Sequence, residues 1–99
     1  MTISRQISED NNELIINVEG RFDFSAHQDF RSAYEDLESS PERYAVNMSN
    51  TTYLDSSALG MLLLLRDHAG GDNATIRITN CNDDVRNILV ISNFGRLFS

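Results

Sequence analysis

An α/β fold is predicted, a mixed β-sheet with helices packed on it, in the order β-β-α-β-α-β-α. β-rich runs with alternating or closely spaced apolar residues come at 2–8, 13–20, 43–50 and 74–79. Segments with helical spacing or helix caps follow the last three of them, near 25–37, 56–69 and 83–91. No repeat or low-complexity linker divides the 99 residues, so residues 1–99 are expected to form one domain around one core.

"TISRQIS" alternates weakly, "EDNN" supplies a polar turn, and "ELIINVEG" is rich in β-branched residues and stops at Gly20. Together they suggest a hairpin. Ala26, Phe30, Ala33, Tyr34 and Leu37 then recur at the spacing of one apolar helix face. Ser25 with Gln28 three residues later has the form of a capping box, which sets that helix start near residue 25, and Pro41 follows its end. "RYAVNMSN", 43–50, is expected to be a central strand because its apolar positions sit close together. The next helix runs over 56–69 and stops at Gly70-Gly71. "ATIRIT", 74–79, places Ile76 and Ile78 on one face. Asn82 caps the last helix, with Asp83 and Asp84 in its first turn. Strands joined through helices need parallel crossovers, while the hairpin is antiparallel, so the sheet is mixed.

The formal net charge is −7, and all eight basic residues are arginine. Ten of the fifteen acidic residues fall between Glu9 and Glu42. Such a chain repels phosphate backbones and anionic lipid, which argues against nucleic-acid and membrane-surface roles and favours a basic protein partner. The lone cysteine, Cys81, cannot form an internal disulfide and points to a reducing compartment. The N-terminal residues carry no basic and apolar leader pattern, and "MLLLL" is far shorter than a membrane span. A soluble, cytoplasmic protein is expected.

"YLDSSALGMLLLLR", 53–66, is the most unusual stretch. Either Asp55 or Ser56 is the N-cap of its helix, which leaves Ser56 as a hydroxyl beside unpaired N–H groups at a positive helix end. Most serines in that place are simply caps, worth about 1 kcal/mol. Yet one cap needs one residue, and Ser56 and Ser57 are adjacent. Leu59, Met61, Leu62, Leu63, Leu64 and Leu65 also cover most of the wheel, as in a helix buried on several sides or one that keeps an apolar side for a partner. A phosphate on Ser56 would be tolerated by the helix end and would add roughly −1.5 to −2 charges beside an apolar surface. That chemistry suits a binding switch better than a catalytic site.

The same residues resemble the phosphorylation-site segment of STAS domains of the anti-sigma factor antagonist family. Asp55, Ser56, Ser57, Ala58, Leu59 and Gly60 match its pattern of aspartate, serine, serine or threonine, a small residue, leucine and glycine. "INVEGRFDFSAHQDFR" looks like the second-strand segment, with its glycine and aspartate at Gly20 and Asp23, and "RYAVNMSNTTYLDSS" like the strand leading to the site. "DDVRNILVISNFGRLF" is similar to the late helix, although Ser92-Asn93-Phe94 stands where serine-glycine-leucine is usual. The resemblance implies a single STAS-like domain in a bacterial partner-switching regulator. Its unphosphorylated form would bind an anti-sigma factor with serine kinase activity, or a similar regulator. Phosphorylation at Ser56 would release that partner and a PP2C-type phosphatase would restore binding. Ser57 is the second-ranked phosphosite. Asp23, Asp55, Ser57, Met61 and Leu62 are the implied partner-binding residues, with core packing the competing role for Met61 and Leu62.

Other chemistries fit less well. No G-x-S-x-G elbow surrounds Ser56, and His68 lies twelve residues further on, about 18 Å along a helix. His27 is expected on the exposed side of the first helix. The two histidines and one cysteine lack metal-ligand spacing. No catalytic residue, cofactor or metal is therefore expected. The alternative reading is a STAS scaffold that is never phosphorylated, or a module that binds a nucleotide.

Overall fold

The computed structural model describes residues 2–10, 12–37, 41–71 and 75–92. Strands β1 (Thr2–Ser8), β2 (Glu13–Phe22), β3 (Arg43–Leu54) and β4 (Ile76–Thr79) form one sheet in the order β1-β2-β3-β4. β1 and β2 are an antiparallel hairpin, whereas β2–β3 and β3–β4 are parallel. α1 (His27–Glu35), α2 (Ser56–His68) and α3 (Asp83–Ile91) follow β2, β3 and β4. The element order and the mixed sheet are those the sequence predicts.

Strand alternation explains where the helices sit. Leu14, Ile16 and Val18 of β2 point to one face, beside Tyr44, Val46 and Met48 of β3 and Ile76 of β4. All are buried in a single core with Phe30, Ala33 and Tyr34 of α1, Ala58, Met61, Leu62 and Leu65 of α2, and Val85 and Leu89 of α3. Each fully buried leucine contributes about 1.5–3 kcal/mol. Ile15, Asn17, Asn47, Arg77 and Thr79 occupy the opposite face, where the Asn47 amide donates to Asn17 and Arg77 pairs with Glu13 at 3.1 Å. Arg5 of β1 extends on the helix side, and its guanidinium donates to the carbonyls of Ser32, Ala33 and Asp36 at the end of α1. A cation there satisfies carbonyls that the helix itself leaves open.

Two strands outrun their expected ends. β2 continues past Gly20 to Phe22, through register shifts between Asn17 and Glu19 and between Gly20 and Arg21. Gly20 has φ +82°, a left-handed conformation open to glycine. β3 continues to Leu54 because those bulges keep it paired with β2, and buried Thr51 donates to the Val18 carbonyl at 2.8 Å. β3 is also the interior strand expected of it. β4 is shorter than expected, and Ala74 lies outside the described residues, as do residues 38–40 and 93–99 with the unusual Asn93-Phe94.

The capping box expected of Ser25 and Gln28 does not form. A 3-10 turn, Phe24–Ala26, precedes α1, and Ala26 supplies no side-chain cap to the helix. Asp23 captures Ser25 instead, accepting from its N–H at 3.0 Å and from its hydroxyl. A carboxylate two residues earlier is a stronger acceptor for the Ser25 N–H than the neutral side-chain amide of Gln28.

Candidate functional site

The parallel pairing of β2 and β3 delivers two loops to one end of the sheet. Arg21 lies opposite Tyr53 and Phe22 opposite Leu54, and the Asp55 N–H donates to the Phe22 carbonyl at 3.3 Å. Asp23 therefore leaves β2 beside the point where Asp55 and Ser56 leave β3. The carboxyl ends of parallel strands are where open α/β sheets usually place their sites.

Asp55, not Ser56, is the N-cap of α2. It has extended backbone, and its side chain accepts from the Ala58 N–H at 3.1 Å and from the Ser57 hydroxyl at 2.5 Å. The Ser57 hydrogen bond is the main cause that holds the Asp55 carboxyl below its ordinary range. The Ala58 and Ser57 N–H groups and the Arg21 charge add to it, against a desolvation that works the other way. Ser56 is exposed, and its hydroxyl makes no hydrogen bond among the described residues. The first helical serine is thus the unengaged one.

Asp23 is tied to Ser25 and lies 3.8 Å from the Arg21 Nε. The Arg21 guanidinium sits over the Tyr53 ring, 4.7 Å from its centroid. Phe24, which follows Asp23, is 70% exposed and stacks on His27 at 5.4 Å. The expectation that His27 is simply surface-facing is thereby corrected, since it is half-buried under that ring. His68 packs on Tyr34 with ring centroids 5.0 Å apart, far down α2 from Ser56.

The structure brings Asp23, Asp55, Ser56 and Ser57 to one end. It does not bring Met61 and Leu62 to that surface: their exposures are 4% and 0%. This corrects their assignment as partner-facing residues. The outward apolar side chains of α2 are Leu63 and Leu64, 39% and 51% exposed. Leu63 is seven positions from Ser56 and so falls on the same helix side. Sequence reasoning also missed Arg21, Tyr53 and Phe24. Their one signal is an arginine and two aromatics near the two aspartates, and only the strand register makes neighbours of Arg21 and Tyr53.

Two comparisons settle the family. The family profile described as "Mlab, STAS domain" matches residues 6–99. A STAS-domain containing protein of Pseudomonas aeruginosa (strain UCBPP-PA14) is 62% identical over 98 residues, which cover 99% of this chain and 97% of that one. The chain belongs to the STAS-domain family. Among solved structures, this STAS domain is similar to the antisigma-factor antagonist STAS domain of Rhodobacter sphaeroides. That likeness has 28% identity and a TM-score of 0.60 over 84% of this chain and 89% of that one. The phosphorylated form of SpoIIAA, a Bacillus cell fate determinant, shares the fold, with a TM-score of 0.71 at 16% identity over 99% and 89% of the two chains. STAS domains of this group are regulatory, non-catalytic modules of partner-switching systems, and the domain belongs with them rather than with enzymes. Among the described residues no helix is long and apolar enough to cross a membrane, and no three His, Cys, Asp or Glu side chains cluster as metal ligands.

Proposed function

We propose that this STAS domain is an anti-sigma factor antagonist-like switch whose phosphorylation site is Ser56. The unmodified domain binds and sequesters a regulator, an anti-sigma factor with serine kinase activity or a protein of that kind. Phosphorylation of Ser56 ends the binding, and a PP2C-type phosphatase restores it. The observation that carries this reading is the contrast between the two serines. Ser57 is held by Asp55, while Ser56 stands exposed and unengaged at the first helical position.

The surroundings support it physically. A phosphate on Ser56 would meet the positive end of α2, so the fold tolerates it. Asp23 and Asp55 carry like charge close by, and Phe24 and Leu63 offer exposed apolar contacts. A partner seated on that mixed surface would have to desolvate a phosphate next to two carboxylates, at a cost far above that of a neutral hydroxyl. Phosphorylated SpoIIAA shows that this fold carries a phosphate in a relative.

Intact mass of the protein from its native cells tests the reading. A fraction about 80 Da heavier is expected from one phosphoryl group, absent in Ser56→Ala. Ser56→Ala should hold the partner constitutively in pull-downs, and Ser56→Asp should release it with an unchanged circular dichroism spectrum. Retention of the heavier fraction in Ser56→Ala would move the site elsewhere, and unfolding of Ser56→Asp would exclude a purely interfacial switch.

A further inference from the structure

The proposed switch uses two aspartates and a serine, and leaves Arg21 without a task. Arg21 sits at the end of β2, in register with Tyr53 of β3, three positions before Ser56. Chain length alone keeps the Cα atoms of Tyr53 and Ser56 within about 10 Å. The guanidinium carbon lies over the Tyr53 ring, 4.7 Å from its centroid, and the side chain remains 67% exposed. Its link to Asp23 is long, 3.8 Å from Nε to Oδ2, beyond a normal hydrogen bond. Asp23 has already given its other oxygen to Ser25. The arginine is thus placed by an aromatic platform and only loosely paired. Other arginines are committed elsewhere: Arg5 to the end of α1, Arg31 to Glu35 and Arg77 to Glu13.

We infer that Arg21 receives the phosphate of phosphorylated Ser56, exchanging the Asp23 carboxylate for phosphoryl oxygens while it stays over Tyr53. The inference rests on the reading of Ser56 as the phosphosite, and it names the residue through which that phosphate acts on its surroundings. A phosphate dianion is the stronger acceptor for a guanidinium, and it can take two parallel N–H bonds. Arg21 already influences this end of the fold, since its charge is one of the lesser causes, after the Ser57 hydrogen bond, that lower the Asp55 pKa. When Arg21 turns to the phosphate, Asp23 loses its cation and the rim beside Phe24 becomes more acidic than the phosphate alone would make it. The surface that a partner meets is rewired while the fold is untouched.

Phosphoserine inserted at position 56 during translation tests this without any kinase. A 31P NMR titration then reads the second pKa of the phosphate. A nearby guanidinium favours the dianion, so Arg21→Met should raise the midpoint by about half a pH unit, roughly a threefold change in the ratio of the two forms. Arg21→Lys, which keeps the charge but loses the fork, should recover part of that shift. In the phosphorylated parent the Arg21 Nε–H resonance should move downfield as the phosphate passes to its dianion. Equal midpoints for Arg21→Met and the parent, with circular dichroism unchanged, overturn the inference; should Arg21→Met perturb the fold, an Nε–H resonance indifferent to the titration overturns it in the parent itself. Should native protein carry no phosphate on Ser56 while the inserted one titrates with Arg21, the phosphosite reading fails and the Arg21 contact stands.

Discussion

Ser57 donates its hydroxyl to Asp55 Oδ1 at 2.5 Å, and the Ala58 N–H donates to the same oxygen at 3.1 Å. Asp55 and Ser57 thereby close the first turn of α2 around Ser56 without using it. The two adjacent serines have different roles for this reason: one belongs to the cap and the other to the surface.

The cap makes α2 sensitive to acid. The folded pKa of Asp55 lies below its ordinary 3.8, chiefly through the Ser57 hydrogen bond. Its contribution to stability is therefore complete above 3.8 and is lost as pH falls through the lower folded value. Asp55→Ala should cost about 1 kcal/mol at neutral pH. The gap to the parent should narrow in acid, and Asp55→Asn, which keeps an acceptor, should lose less. Urea unfolding at neutral and acid pH checks this; a gap that ignores pH would show that the charge contributes nothing.

Leu62 and Leu64 separate core from surface on the same helix. Leu62 is fully buried and Leu64 half exposed. Leu62→Ala should destabilise by about 3 kcal/mol, and Leu64→Ala by less than about 0.5 kcal/mol. Similar midpoint losses for the two variants in chemical denaturation would mean that α2 is rotated from the orientation described.

Gly60 should be replaceable with a gain. A Cβ there meets nothing within 4 Å, and the residue lies inside α2. Helix propensity alone makes Gly60→Ala more stable by up to about 1 kcal/mol. Thermal unfolding reads the effect, and a lowered midpoint would contradict the open space around this position. If the gain is accompanied by weaker partner binding, a partner approaches the backbone at this point.

Cys81 should be a sluggish thiol. Burial is the main cause that raises its pKa, with the Arg86 charge opposing. Its reaction with an aromatic disulfide reagent near neutral pH should accelerate roughly tenfold when the chain is unfolded in urea. Equal rates in the folded and unfolded states would count against the burial.

Much of the fold was legible because local signals and tertiary demands agree. Asn82 was expected to cap α3, and its side chain accepts from the Val85 N–H at 2.8 Å. Leu14, Ile16 and Val18 alternate in the sequence and share the buried face. Where two local acceptors compete, spacing alone misleads: Ser25 has the spacing of a capping box, but Asp23 two residues earlier holds it. Met61 and Leu62 differ from expectation for another reason. A helix that is apolar nearly all round carries no periodicity to mark its inner side, and packing alone chose Leu62 over Leu63 and Leu64.

The sequence by itself determined the order of elements, the mixed sheet and the serine-bearing helix start, since caps, turns and alternation act over a few residues. It also carried the six-residue motif from Asp55 to Gly60. The tertiary structure alone decided which neighbours that motif has. Arg21 and Tyr53 lie 32 positions apart in the chain, and they meet because the register of β2 against β3 shifts twice, between Asn17 and Glu19 and between Gly20 and Arg21. A register is a long-range choice made by the whole pairing of two strands, and no local pattern at either residue encodes it.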